Sequence, residues 1–203
     1  MGMKNRELLV EVMSCDDAVI FESEAESTQN YDTLEKARGF ATIAHSGALR
    51  KDGKTPYIVH PERVVKTLQS LGVEDKEVLA AAYLHDVLED TPAKLEGEFP
   101  ERVIKIVKAL TKAKGSSKAD YLNGLRGAPW EAVLIKMADR YDNIIDGANT
   151  PELGAAWLPK YLASTDTILA VAKASGAMKN PAGAKLFKML GDLRKKHSAP
   201  APV

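Results

Sequence analysis

Apolar residues recur every three or four positions along most of this chain, which is the period of an amphipathic α-helix. Gly and Pro residues interrupt the pattern, so that separate helices are predicted from about residues 32, 61, 76, 100, 121, 130, 151, 159 and 183. No segment of note alternates apolar and polar residues in the way that a half-buried β-strand does. The pattern therefore predicts an all-α protein, built as a bundle of helices.

The segment 80–91 departs from this pattern and indicates function. It contains neither Gly nor Pro, follows a potential N-cap at Asp75, and is predicted as one helix whose first half is apolar on nearly every side. Four ionisable residues follow in its second half, spaced so that they share one stripe: His85, Asp86, Glu89 and Asp90. A buried stripe of this kind needs compensation, which a divalent metal provides because imidazole and carboxylate both bind it. The alternative is an acidic helix end that faces water.

Further ligands must come from elsewhere, because two adjacent side chains cannot complete a coordination sphere. His60 precedes a proline at a predicted helix start and is interpreted as a ligand rather than as a cap or a core residue. In a later helix, which we expect to stop at Gly147, Asp139 can point inward and has Asn143 on the same side. His45 lies near an apolar face and is interpreted as a packed or hydrogen-bonded histidine rather than a ligand.

Composition removes several functional classes. Lys plus Arg number 28 and Asp plus Glu number 28, so the net charge is zero and gives no support for binding to nucleic acid or to an anionic membrane. Cys15 is the only cysteine, which excludes an intrachain disulfide and a zinc site built from cysteines. With no run near 18 apolar residues and no signal-peptide pattern, we expect a cytoplasmic protein.

The length suits one domain, which we place at residues 30–197. Residues 1–29 carry several Glu in a run rich in Ser and Ala, and are predicted to form an N-terminal extension that is partly disordered. Residues 198–203 are predicted to form a disordered tail. Neither end is assigned any chemistry.

Four segments together resemble the HD-domain hydrolases of the RelA/SpoT family, and more narrowly the small alarmone hydrolases that lack a synthetase domain. The first segment, residues 50–61, begins with Arg-Lys and ends with His-Pro, and the second, residues 84–91, begins with Leu-His-Asp and ends with Glu-Asp-Thr. The third is Leu-Thr-Lys at residues 110–112, and the fourth, residues 136–143, begins with Lys-Met-Ala-Asp and ends with Asn. They cover about residues 30–165, in the family's order and at compatible spacings. The resemblance implies the all-α HD-domain bundle.

The resemblance also implies a metal site and a division of roles around it. One divalent ion, usually manganese, would be held by the positions that match the family's ligands: His60, His85, Asp86 and Asp139. Glu89 and Asp90 would activate the attacking water or protonate the leaving group. Independently of the family, mixed imidazole and carboxylate ligands suit manganese, and a proton carrier one turn beyond them can reach a bound water.

The implied substrate is the alarmone ppGpp or pppGpp, cleaved at the 3′ phosphoester to give GDP or GTP and pyrophosphate. The resemblance assigns Arg50, Lys51 and Asn143 to nucleotide binding, and Tyr161 matches a late substrate-contacting segment loosely. The expected partner is therefore a small nucleotide, without nucleic acid or membrane, and the sequence leaves open whether the protein is a homo-oligomer.

Two departures from the family leave the nucleotide open. Ile145 stands where the family often has Arg, and Ala48 stands where it often has Gln. An HD-type phosphohydrolase of another nucleotide, such as an adenine alarmone or NADPH, would keep the same metal and acid residues. A non-catalytic nucleotide-sensing module is the second alternative, although the His-Asp and Glu-Asp pairs are both retained.

Overall fold

The computed structural model describes residues 33–198, and within that range the fold is built from helices. The α-helices, in chain order, are α1 (residues 33–44), α2 (Val59–Ser70), α3 (Lys76–Leu84), α4 (Val87–Asp90), α5 (Glu101–Leu110), α6 (Lys118–Gly124), α7 (Trp130–Asn149), α8 (Pro151–Gly154), α9 (Leu158–Ala174) and α10 (Pro181–Ser198). Short 3₁₀ turns lie at Leu125–Gly127 and Ala177–Lys179. The predicted all-α class is confirmed.

Two parts of the predicted domain division lie outside the described residues. These are the N-terminal extension at 1–29 and residues 199–203 of the tail. Ser198, which was assigned to the tail, is the last residue of α10. In the part of the chain that is described, no helix combines the length and apolarity needed to cross a membrane.

Helix α7 lies at the centre of the bundle, with α2, α5, α9 and α10 packed around it. Its 20 residues include a long buried stripe, of which Leu134, Ile135 and Met137 are completely inaccessible to solvent. The helix spans about 30 Å at 1.5 Å per residue. Because it is surrounded, polar residues near its middle, such as Asp139, are brought into the protein interior rather than to its surface.

The predicted helix at 80–91 is interrupted, and this corrects the sequence interpretation. Its start is as expected, since the Asp75 carboxylate accepts the Glu77 and Val78 N–H groups at 3.0 and 3.2 Å. However, α3 ends at Leu84, and a turn at residues 85–86 separates it from α4. The four ionisable residues therefore do not lie along one regular helical stripe.

Gly147 was predicted to stop α7, but the helix continues through it to Asn149. Instead, the absence of a side chain at Gly147 allows neighbouring groups to pack closely against the helix. A Cβ atom at this position would lie 2.6 Å from Cη2 of the Trp157 indole, and the backbone of Gly154 packs against the Gly147 carbonyl. Gly147 thus allows α7, α8 and the start of α9 to pack together, and positions Trp157 beside the candidate site.

Replacing Gly147 with Ala is expected to destabilise the protein by about 1–3 kcal/mol, because the new methyl group overlaps the indole. Gly191→Ala in α10 is the matched control, since nothing lies within 4 Å of its added Cβ, and it should be neutral or stabilising by up to about 1 kcal/mol. Urea unfolding midpoints of the two variants decide the matter. Equal midpoints would contradict the close-approach interpretation.

Candidate metal and active site

Four side chains from three parts of the fold converge in the interior. His60 lies in the first turn of α2, Asp139 lies midway along α7, and His85 and Asp86 form the turn between α3 and α4. Their donor atoms are close: His60 Nε2 is 3.2 Å from Asp139 Oδ1, and His85 Nε2 is 3.0 Å from Asp86 Oδ2. Ligand atoms of His60, His85 and Asp86 all lie within 4.8 Å of one another. The sequence predicted these four as metal ligands, and the fold brings them together.

Outer hydrogen bonds aim both imidazole rings at this centre. His60 Nδ1 donates to Asp142 Oδ2 at 2.6 Å, and His85 Nδ1 donates to the Ala82 carbonyl at 2.8 Å. Each ring therefore turns its Nε2 inward with a lone pair available for a metal. His85 Nε2 is buried and makes no hydrogen bond among the described residues, although Asp86 is near. An inward-pointing nitrogen without a partner is what a metal ligand leaves when the metal is absent, so the donor set fits a divalent cation.

The pKa shifts within the cluster indicate that its carboxylates are stabilised in the ionised form by neighbouring positive charge. Burial opposes ionisation of the Asp86 carboxyl, yet His85 and His60 hold its pKa well below the usual value. Asp139 behaves likewise, since the Lys136 ammonium lies 2.8 Å from its Oδ2 and lowers its pKa. Burial lowers the pKa of His85, but Asp86 and Asp139 outweigh it and raise that pKa to about 9.

Metal binding to the free protein is therefore expected to release a proton. His85 must be neutral to bind a cation, so the proton competes with the metal at every pH below its pKa of about 9. The affinity for Mn²⁺ should rise as the pH increases towards that value, by up to about tenfold per unit, and level off above it. Isothermal titration calorimetry in buffers of different ionisation enthalpy counts the protons directly. An affinity independent of pH between 6 and 8 would contradict this assignment.

Tyr57 and His45 form a layer next to the ligands. The Tyr57 hydroxyl donates to Asp86 Oδ2 at 2.7 Å, and the His45 ring stacks on the Tyr57 ring with centroids 4.5 Å apart. His45 is buried, and its pKa is lowered mainly by that burial. The stacking supports the interpretation of His45 as a packed histidine, and its buried Nε2 makes no hydrogen bond among the described residues.

Glu89 and Asp90, the predicted catalytic acids, lie just beyond the turn and are both solvent-exposed. The Lys112 N–H donates to Glu89 Oε2 at 3.2 Å, which ties the Leu-Thr-Lys segment to the site. The Asp90 carboxyl is nevertheless partly shielded from water, and this partial burial and the nearby charge of Asp86 raise its pKa. Neither residue belongs to the ligand cluster found among residues 33–198.

The predicted substrate-binding residues divide into an inner and an outer pair. Arg50 and Asn143 are buried, and Arg50 Nη2 donates to Asn143 Oδ1 at 3.0 Å. Lys51 is exposed on the loop after α1, with Nζ 3.7 Å from the centroid of the Trp157 ring and 4.9 Å from that of Tyr161. The Tyr161 ring thus forms part of an aromatic and cationic wall.

The structure adds residues that the sequence interpretation did not assign. Lys118 extends the cationic wall, with Nζ 4.6 Å from the Tyr161 centroid, and within residues 33–198 no carboxylate pairs with Lys51 or Lys118. Lys136 and Asp142 contact the ligands Asp139 and His60. A signal for these two was available, because both are three residues from Asp139 on α7 and therefore lie near it on the helix surface. No sequence signal pointed to Lys118.

Comparisons with known proteins agree with this geometry. The profile of the HD domain matches residues 37–156. MESH1 of Danio rerio, named a guanosine-3′,5′-bis(diphosphate) 3′-pyrophosphohydrolase, is 38% identical over 123 residues, which are 56% of this chain and 68% of that protein. An enzyme of the same name from Aquifex aeolicus is 37% identical over 126 residues, 57% of this chain and 18% of that protein.

The bifunctional (p)ppGpp synthase/hydrolase SpoT of Escherichia coli is 35% identical over 144 residues, so the chain spans about a fifth of these bacterial relatives. A solved structure, described as a metazoan ortholog of SpoT that hydrolyzes ppGpp, superposes with a TM-score of 0.69 at 25% identity, over 81% of this chain and 95% of that one. The chain therefore belongs to the HD-domain family and, within it, to the group of RelA/SpoT-type hydrolases that contains the small protein MESH1.

Proposed function

We propose that this protein is a manganese-dependent hydrolase of ppGpp and pppGpp, which cleaves the 3′ phosphoester to give GDP or GTP and pyrophosphate. The observation that supports it most is the convergence of two imidazoles and two carboxylates on one point. Beside it, Lys51 and Lys118 form no ion pair with a carboxylate of residues 33–198. The names of the relatives support the choice of nucleotide. The reaction is placed in the cytoplasm, on a small molecule, with neither nucleic acid nor membrane required.

Mn²⁺ would be held by His60, His85, Asp86 and Asp139, a mixed nitrogen and oxygen donor set that suits this ion. When bound, a divalent cation lowers the pKa of water and polarises a phosphoryl oxygen. The side chains around it are already oriented by their hydrogen bonds, so that little rearrangement is needed on binding. Lys136 keeps Asp139 ionised by its contact with Oδ2.

Glu89 and Asp90 would carry the protons of the reaction. They lie next to the ligand pair but outside it, where they can receive a proton from the attacking water or donate one to the leaving oxygen. The raised pKa of Asp90 favours its protonated form at a higher pH than for an ordinary Asp, which suits the donor. We therefore assign Glu89 to the water and Asp90 to the leaving group.

Lys51 and Tyr161 would contact the nucleotide from the outer wall, and Arg50 and Asn143 from the inner layer. Burial, and to a smaller extent the neighbouring Arg50 charge, lowers the pKa of Lys51. The Lys51 and Lys118 ammonium groups, both beside the Tyr161 ring, give this wall a positive potential. Such a potential favours a polyphosphate anion. A nucleotide held there by its base and ribose presents a ribose-attached phosphate to the metal ligands, whereas a terminal phosphate would lie further away.

The proposal is tested with the purified protein, Mn²⁺ and equal concentrations of ppGpp, pppGpp, an adenine alarmone and NADPH. We expect kcat/KM to be highest for the two guanosine alarmones, and turnover to stop when EDTA removes the metal. A higher kcat/KM for NADPH or for the adenine nucleotide would show that the proposed substrate is wrong, while the proposed hydrolase activity would stand. No turnover of any member of the panel would favour a nucleotide-sensing module instead.

A further inference from the structure

A chain of polar contacts leads away from one candidate metal ligand and returns to another. It begins at His60, whose Nδ1 donates to Asp142 Oδ2 at 2.6 Å. Arg63 pairs with the same carboxylate, with Nε 2.7 Å from Oδ1 and Nη2 donating to Oδ2 at 3.2 Å. Arg63 Nη2 also donates to Asp146 Oδ1 at 2.9 Å. The first half of the chain therefore connects α2 with two carboxylates of α7.

The second half returns to the metal centre through the loop that follows α1. Asp146 Oδ2 accepts from Arg50 Nη2 at 2.9 Å and from Arg50 Nε at 3.2 Å. Arg50 Nη2 donates to Asn143 Oδ1 at 3.0 Å, and Asn143 Nδ2 donates to Asp139 Oδ1. The chain thus closes on Asp139, a second candidate ligand. We call the connecting residues the outer network: Arg50, Arg63, Asp142, Asn143 and Asp146.

The burial and the charge balance of the outer network are those expected of residues that hold metal ligands in position. Arg50, Asp142 and Asn143 are 7%, 5% and 7% exposed, so their contacts are shielded from water. Two guanidinium groups face two carboxylates, which leaves no net charge. Buried polar networks in which the members satisfy one another hold their side chains in one arrangement, since breaking any single contact leaves a buried group unpaired.

Helical spacing explains why one network reaches two ligands. On α7, residues 142 and 143 are each three or four positions from both 139 and 146, so the four share one face. On α2, residues 60 and 63 are three positions apart. Arg50 is the member that comes from a loop. It is fixed by three hydrogen bonds although the next residue, Lys51, is exposed.

We propose that the outer network sets the metal affinity of the site and couples it to the loop that carries Arg50 and Lys51. This inference rests on the metal centre of the proposed function. Asp142 orients the His60 ring, and Arg50 acts on Asp139 through Asn143, so that both are positioning residues for the metal. Arg50 consequently affects Mn²⁺ binding even when no nucleotide is present, which a residue that contacts only the nucleotide would not do.

The test measures the Kd of Mn²⁺ for the free protein, without nucleotide, by calorimetry. Asp142→Asn keeps the size of the side chain and removes its charge, and should raise the Kd by about 10–100-fold, as for other residues that orient metal-bound histidines. Arg50→Gln should raise the Kd severalfold. Lys54→Gln, an exposed residue of the same loop to which no role is assigned, is the matched control and should keep the wild-type Kd.

Two further measurements separate positioning from general loss of structure. The electron paramagnetic resonance spectrum of bound Mn²⁺ should change its line shape in Asp142→Asn and Arg50→Gln but not in Lys54→Gln. Thermal unfolding of the metal-free proteins shows whether the variants have lost stability. Should Asp142→Asn unfold too readily, Asp146→Asn, which lies further from the ligands, should give a smaller rise in Kd of the same kind.

Wild-type Kd values and spectra in Asp142→Asn and Arg50→Gln would overturn the inference and leave the proposed function standing. Absence of Mn²⁺ binding by the wild-type protein would reject the metal centre, and this inference with it. The two failures are therefore distinguishable.

Discussion

Asp86→Ala and His85→Ala are each expected to lose tight Mn²⁺ binding and measurable hydrolysis of ppGpp together. Both side chains place a donor atom within the ligand cluster, and removing either leaves the other donors unable to enclose the cation. Loss of an outer-layer partner alone commonly costs 10–100-fold in metal affinity, so loss of a direct ligand should exceed about 100-fold. Calorimetry with Mn²⁺ and an activity assay on the same preparations measure both effects.

Asp192→Ala is the control for these two variants, because this exposed carboxylate lies on α10 and outside the ligand cluster. It should bind Mn²⁺ and turn over ppGpp as the wild type does. Full metal occupancy and activity in Asp86→Ala would remove that carboxylate from the coordination sphere. The same result for Asp139→Ala would remove Asp139 alone and leave the other three ligands in place.

Glu89→Gln and Asp90→Asn are expected to lower kcat for ppGpp by about 10²–10⁴-fold while the affinities for Mn²⁺ and nucleotide stay close to those of the wild type. The amides keep the shape of the side chains but cannot exchange a proton at the reacting atoms. Single-turnover kinetics at saturating nucleotide isolate the chemical step, and calorimetry reports the two affinities.

The outcome of this experiment also tests the division between ligands and proton carriers. The structure supports the division because neither carboxylate joins the cluster of donor atoms found in residues 33–198, and Glu89 accepts the Lys112 N–H instead. An amide variant that loses its metal would show that the carboxylate is a ligand. Unchanged turnover in both variants would show that other groups move the protons.

Much of the fold could be predicted from local signals. The helical period and the Asp75 cap act within a few residues, and both are found in the structure. The interruption at residues 85–86 could not be predicted, because the segment contains no Gly or Pro to signal a helix break. Gly147 was misinterpreted since glycine serves both helix ends and close approaches, and only the position of Trp157 distinguishes them.

The residues of the candidate site could likewise be predicted only in part from the sequence. Residue types and spacings were enough to select His60, His85, Asp86 and Asp139, which the fold then brings together. They did not reveal the residues that hold them in place, such as Asp142 and Lys136, because a carboxylate or an ammonium on a helix is usually exposed. Their roles depend on which helices surround α7, and that arrangement is set by packing across the whole chain.

The most direct test of the central claim is the identity of the first product released from ppGpp by the wild-type protein with Mn²⁺. ³¹P NMR of the reaction distinguishes pyrophosphate from orthophosphate, and nucleotide chromatography identifies GDP. We expect pyrophosphate and GDP in equal amounts, because the proposed function places the attack at the ribose-attached 3′ phosphate. Orthophosphate as the first product, without pyrophosphate, would contradict the proposal and indicate a phosphatase that uses the same fold.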